Sequence, residues 1–346
     1  MTLYAVDDIG DAIEATKEYL LPVDRSRWLR LALVVLFVGG GLGMQFPANF
    51  GTGSVDFGGG DAPATEGDFD PSTLPSELPG PITAENVWLL VGALVAVAIL
   101  LSLLLGFIGA VMEFVFVESL HRDAVHVRRY FGRYWRSGLR LFGFRLGVSV
   151  LGLLVVALVG AAVALAAFGG IPTDPGAAQI VGAIVVLVPV MLITFALVSL
   201  VNGLTTAFVV PIMLAEDRSV IDSWRRFWPT LRGQLKQYGV YVLMAFILTI
   251  AVGILTATAM GAGAIALAIP FLIVGGIVVA VSGHLSLAVG VALAALVVLY
   301  VLLVVALLAL IQVPLQTFLR LYSLLVLGDS NEAFDVIGDL RADIRD

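Results

Sequence analysis

Arg129–Arg145 reads RYFGRYWRSGLRLFGFR, and Leu146–Phe168 directly after it reads LGVSVLGLLVVALVGAAVALAAF. The second stretch holds no Asp, Glu, Lys or Arg. At ~1.5 Å per residue it is long enough to cross a ~30 Å hydrocarbon core as a helix. The first stretch sets arginines at its threshold, where the positive-inside bias puts a cytoplasmic boundary. Unbroken apolar sequence, rather than alternation with period two, selects helices over a closed barrel, and only those two satisfy their backbone in lipid.

The same pairing recurs along the chain. Trp28–Phe46, Val87–Ile108, Ile180–Leu200, Tyr241–Met260 and Leu285–Ile311 are further apolar runs, with Arg30 their one charge. Six crossings follow, with both termini in the cytoplasm. The expected fold class is all-α, a polytopic transmembrane bundle of about six spans. A composition of 60% hydrophobic and 13% charged residues, with a mean hydropathy of +1.04, lies outside the range of soluble domains.

Seventeen of the 19 basic residues are Arg, and the net charge is −7. An acidic, Lys-poor surface marks a salt-adapted protein. Near molar salt the Debye length falls to ~3 Å, so contact ion pairs would matter and long-range steering would not. The absence of Cys excludes disulfides, thiolate catalysis and iron–sulfur sites. Asp7, Asp8, Asp11, Glu14 and Glu18 stand where a secretory signal would carry bases, so the first run is expected to be retained.

Residues 1–22 are expected to form an acidic amphipathic cytoplasmic helix, with Val6, Ile9, Ile13 and Leu20 on one face and Pro22 ending it. Residues 23–328 form the transmembrane domain. Within it, 47–83 holds six acids and no base and reads as an external loop. The second span continues past the bilayer to Leu120, which puts Glu113 and Glu118 at or beyond the cytoplasmic boundary. Two basic elbows follow, 121–145 and 216–238, as helices lying in the interface or packed under the bundle. Residues 265–281 fit a crossing, a re-entrant hairpin or part of a bent span, and 329–346 is an acidic cytoplasmic tail.

At ~100° per residue, Arg122, Arg129, Arg133, Arg136 and Arg140 share one face of the first elbow, and Arg225, Arg232 and Lys236 one face of the second. A shift of 96 positions superposes Arg129 on Arg225, Phe131 on Phe227, Arg136 on Arg232 and Gly143 on Gly239, which reads as an internal repeat. These arginines are the candidate lipid- or partner-binding residues, besides their role as anchors. The acidic N-terminal helix is expected to dock on one of the elbows.

Ser199, Asn202 and Thr206 form the one polar face inside an apolar run. It reads first as interhelical hydrogen bonding and second as a solute path. Gly39 with Gly43 and Gly143 with Gly147 have the spacing that lets helices approach closely. His121, His126 and His284 make no metal-ligand spacing, and no phosphate or dinucleotide loop occurs. Neither a cofactor nor a metal is expected, and no catalytic residue emerges.

The opening Leu3-Tyr4-Ala5-Val6-Asp7-Asp8 and the closing Phe318-Leu319-Arg320…Gly328-Asp329 resemble uncharacterised haloarchaeal membrane proteins. Val210-Pro211…Glu216-Asp217-Arg218…Trp224-Arg225-Arg226 is similar to an element of a wider group, which includes the membrane domain of some glycerophosphoryl diester phosphodiesterases. The resemblance implies a helical membrane domain. The soluble phosphodiesterase domain and its metal-binding residues are missing here, so that activity is not implied. The expected function is a non-catalytic membrane scaffold or accessory module. Its expected partners are membrane lipids, other membrane proteins or a second copy, and no nucleic acid. The alternative is a transporter or channel for a small solute or lipid.

Overall fold

The computed structural model describes residues 4–38, 84–168, 176–282 and 286–345. They form α1 (Tyr4–Leu20), α2 (Arg25–Val38), α3 (Ala84–His121), α4 (Val127–Phe168), α5 (Ala177–Leu204), α6 (Val210–Glu216), α7 (Val220–Gly233), α8 (Leu235–Ser282), α9 (Leu287–Ser330) and α10 (Gly338–Arg345). A single π-turn, Thr205–Val209, joins α5 to α6, and a 3-10 turn, Glu332–Phe334, precedes α10. No strand occurs among the described residues.

Among the described residues, five helical segments are long and apolar enough to cross a membrane: Leu89–His121, Val127–Ala166, Gln179–Glu216, Leu235–Ser282 and Leu287–Ser330. Of the expected first run, Trp28–Phe46, α2 covers the start. The rest of it and the loop 47–83 lie outside the described residues.

Each long helix has two unlike halves. On α3, Leu89, Leu94 and Leu100 are exposed, whereas Phe114, Val115, Phe116 and Val117 are fully buried. On α9, Leu287, Val291 and Leu302 are exposed, whereas Leu321, Leu324, Leu325 and Leu327 are buried. The buried halves converge in one core. The other halves present apolar side chains on all sides, far beyond the patches that monomeric soluble proteins expose.

α1 lies across the packed half of α9. Ala5, Ala12 and Ala15 have no exposed surface, so α1 approaches closely, and the Tyr322 hydroxyl donates to the Ala5 carbonyl at 2.6 Å. Its buried face is not the expected one: Val6 and Ile13 are exposed, while Asp8 is buried. The reason is size, because a stripe of alanines fits against a neighbouring helix more closely than a branched stripe does. Nor do the acids of α1 pair with an elbow. Asp8 and Asp11 pair with Arg345 of α10 at 3.0 and 2.8 Å.

The two elbows differ. The first is the N-terminal part of α4, from Val127 onward, and not a helix of its own. The second is a separate helix, α7, whose N-cap Ser219 accepts from the Asp222 amide. A residue in the left-handed region turns the chain at each, Asp123 with φ 48° and Asp217 with φ 49°, a conformation Asp tolerates better than most residues.

Residues 265–281 are neither a separate crossing nor a re-entrant hairpin. They continue α8, which runs for about 72 Å at 1.5 Å per residue and pairs antiparallel with α9. Tyr300 donates to the Ala264 carbonyl across that pair, at 3.3 Å. The tightest helix crossings are at glycines other than those expected. A Cβ on Gly138 would stand 2.4 Å from Val111 Cγ2 and 2.8 Å from its Cα, and one on Gly152 would meet Val198 at 2.8 Å. Gly143 and Gly147 face open space, because they lie on another side of α4, and Gly39 and Gly43 lie outside the described residues.

Candidate functional site

Three charges meet inside the packed half. Glu113 of α3 is 4% exposed and Arg320 of α9 is 6% exposed. Arg320 Nη2 donates to Glu113 Oε2 in close contact, and Arg145 of α4 stands 3.4 Å from Glu113 Oε1. Charge-assisted hydrogen bonds of this kind are the strong ones, and burial raises what is lost when one partner goes.

The π-turn explains how the arginines are held. In a five-residue register the carbonyl of Thr206 would receive an N–H from Pro211, which proline lacks. Arg320 Nη1 donates to that carbonyl instead, at 2.6 Å, and Arg145 Nη2 donates to Thr206 Oγ1 at 2.5 Å. Thr205 is fixed in turn, its hydroxyl donating to the Val201 carbonyl at 2.6 Å and accepting from Trp224 Nε1 at 3.1 Å. Phe208 of the same turn packs among Phe227, Tyr238 and Tyr241. The turn thus ties α4, α7, α8 and α9 together around the charges.

Above the cluster lies a cavity of about 820 Å³, bounded by α2, α3, α5, α8 and α9. Glu113, Arg145, Arg320 and Thr206 form its polar end, and Leu105, Leu200, Val242 and Phe246 are among its apolar walls. Helices α5 and α8 face each other across it. Such a volume is within the ~300–1,000 Å³ of ligand pockets, and an apolar cavity with a few placed polar groups is their usual chemistry.

The expected polar face divides. Ser199 and Thr206 line the cavity, with Gly203 between them. Asn202 does not: it is buried, 3% exposed, and its amide has no hydrogen-bond partner among the described residues. Ser199 Oγ is also without a partner there.

The elbow residues Arg122, Arg129, Arg133, Arg136, Arg140, Arg225, Arg232 and Lys236 all stay exposed, away from the cavity. Arg122 and Arg133 pair with the buried Glu118, at 2.5 and 3.7 Å. Arg225 reaches Asp222 at 3.8 Å, and Arg232 lies over the Trp228 ring at 4.8 Å. Glu113 and Glu118, which the sequence reading puts at or beyond the cytoplasmic boundary, are buried rather than exposed to solvent. The end of α3 is covered by its neighbours, and each acid has found arginines there.

Glu113, Arg145 and Arg320 were missed as a group, although each leaves a trace. Arg145 lies about 140° from the arginine stripe of its own elbow at 100° per residue, on the apolar side. Glu113 and Arg320 are lone charges in apolar surroundings, a pattern that calls for a named partner.

A second cluster joins the termini. Arg345 contacts Asp8, Asp11 and Asp329, and Arg341 reaches Asp329 at 2.8 Å and Asp335 at 2.5 Å. Burial, followed by the nearby Asp329 carboxylate, pushes the Asp8 carboxyl up to about 7, while Arg345 pulls it down. Its hydrogen bonds to Asp329 and Asp11 hold the Arg345 guanidinium above its ordinary value.

The described residues are helical, with five helices long and apolar enough to cross a membrane and an open cavity among them, an architecture compatible with a multi-pass membrane protein. The chain belongs to a family of unknown function, DUF7544, whose family model matches residues 3–337. No curated protein and no solved structure matches it.

Proposed function

We propose that this is a multi-pass protein of the cell membrane that acts without catalysis, as an accessory module engaging membrane lipids through its central cavity. The observation that carries the reading is the cavity of about 820 Å³, with leucine, valine and phenylalanine walls and an arginine-lined inner end. A lipid offers the matching pair of an apolar chain and a polar head.

The orientation follows from charge. Arg25, Arg27, Arg30, both elbows, Arg341 and Arg345 all belong to the packed half, so the positive-inside bias makes that half cytoplasmic. The contact of α1 with α10 supports the reading that both termini lie on one side. That favours an even number of crossings, six when the run begun by α2 is included.

The test is native mass spectrometry of protein released from its own membranes. The expected result is a retained lipid adduct that disappears in Gly203→Leu. A Cβ at Gly203 meets nothing within 4 Å, so the leucine fills cavity space without forcing the helices apart. A protein free of lipid, but bound in fixed ratio to another membrane protein or to a second copy through its exposed arginines, would favour the scaffold instead.

Transport of a small solute or lipid is the second reading, favoured by the hydroxyls of Ser199 and Thr206 at the cavity wall. Flux into proteoliposomes that Gly203→Leu abolishes would select it.

A further inference from the structure

We propose that the cavity selects an amphiphile whose head carries a single negative charge, a carboxylate or a phosphodiester, and that Arg145 receives it. This rests on the reading of the cavity as a lipid site and adds the chemical class of the lipid.

The argument begins with charge. Two guanidiniums, Arg145 and Arg320, face one carboxylate, Glu113, so the polar end of the cavity carries a net charge of +2 − 1 = +1. Among the described residues no other acid pairs with either arginine. The exposed acids elsewhere do not neutralise this excess, because solvent and salt screen charges that lie beyond about a Debye length. One anion completes the balance. A dianion overshoots it, and a neutral head leaves the excess in place.

The two arginines are not equivalent. Arg320 is 6% exposed and bonded through both Nη atoms: one contacts Glu113, the other bonds the Thr206 carbonyl, and its guanidinium lies 5.8 Å from the centre of the Phe116 ring. The side chain of Arg145 is 26% exposed, stands at 3.4 Å from Glu113, and has one short bond, to Thr206 Oγ1. A guanidinium has five N–H donors, and those of Arg145 are largely uncommitted. Ser199 and Thr206 line the same cavity. Gly203 leaves the space between Ser199 and Thr206 open, and the apolar walls of α5 and α8 run on from there to take the chain of the amphiphile.

The test uses the purified full-length protein in nanodiscs of neutral lipid. Three probes share one oleoyl chain: oleate with a carboxylate, oleoyl lysophosphatidylglycerol with a phosphodiester, and uncharged monoolein. The expected result is at least tenfold tighter binding of one or both anions than of monoolein. Which anion binds tells whether a free fatty acid or a phospholipid is the source. Arg145→Gln should bring the anions down to the affinity of monoolein, and Gly203→Leu should abolish binding of all three. Equal binding of the three probes by the wild-type protein overturns the proposal and leaves the lipid reading standing. An anion preference that survives in a folded Arg145→Gln variant overturns it as well. Binding of none of the three overturns the lipid reading itself. The wild-type comparison is decisive even where a variant fails to fold.

Discussion

Glu113 on α3 and Arg320 on α9 stand 207 positions apart in the chain and form an ion pair buried from solvent. Arg320 also holds the carbonyl that the π-turn leaves open, so one side chain answers a charge and a backbone acceptor together. The pair joins the first and the last of the five long helices at the polar end of the cavity.

Arg320→Met should therefore destabilise strongly, by about 3–5 kcal/mol, because it leaves Glu113 buried without its close partner. Adding Glu113→Gln should recover most of that loss, since two neutral groups carry no unpaired buried charge. Thermal unfolding in detergent of the two single variants and the double variant checks this. Additive losses would show that the two residues act separately.

Gly138→Ala should cost about 1–3 kcal/mol, since the new methyl meets Val111 backbone that cannot move aside without parting α3 from α4. Gly143→Ala, five residues along the same helix, faces open space and should be neutral or stabilising by up to about 1 kcal/mol. Unfolding of both variants side by side measures the contrast. Equal effects would contradict the helix crossing described.

Phe227 is fully buried and packs between Phe208, Trp224 and Tyr238. Phe227→Ala should cost about 3–5 kcal/mol and release α7 from the π-turn. Arg225→Ala, on the exposed face of the same helix, should change stability by no more than about 0.5 kcal/mol. Tryptophan emission from Trp224 should shift to the red in the first variant and hold in the second.

The contact between the termini should depend on pH. The carboxyl of Asp8 is pushed up from 3.8 to about 7, first by burial and then by Asp329, with Arg345 opposing and Asp11 adding to the rise. A group whose value is raised by folding binds its proton more tightly in the folded state. Its stabilising contribution is complete below the unfolded value and is lost as pH rises through about 7. Amide exchange of α1 should therefore be slower at pH 5.5 than at pH 8.5, after correction for the intrinsic rate. Asp8→Asn should remove the difference, and a wild-type protein with equal protection at both values would refute it.

How far the sequence reaches is clear from particular residues. Leu146–Phe168 and its counterparts declare the long helices, because an unbroken apolar run has few stable arrangements other than a helix in lipid. The exposed arginines of both elbows are equally plain, since their common face follows from helical periodicity. The continuity of α8 through residues 265–281 was not legible, because glycines such as Gly261 and Gly263 read equally as a break and as a site of close packing. Gly263 is a site of close packing, against Leu307.

By itself, then, the sequence determined the class of architecture, the long helices and the helix face on which each elbow carries its arginines. Those properties depend on composition and on spacing within one segment. Only the tertiary structure decided that Glu113, Arg145 and Arg320 meet, that Asn202 is turned out of the cavity, and that α1 closes on α10 rather than on an elbow. These depend on which faces of distant helices come together. A buried charge is tolerable only where its partner has been delivered, and the partner of Glu113 arrives from the other end of the chain.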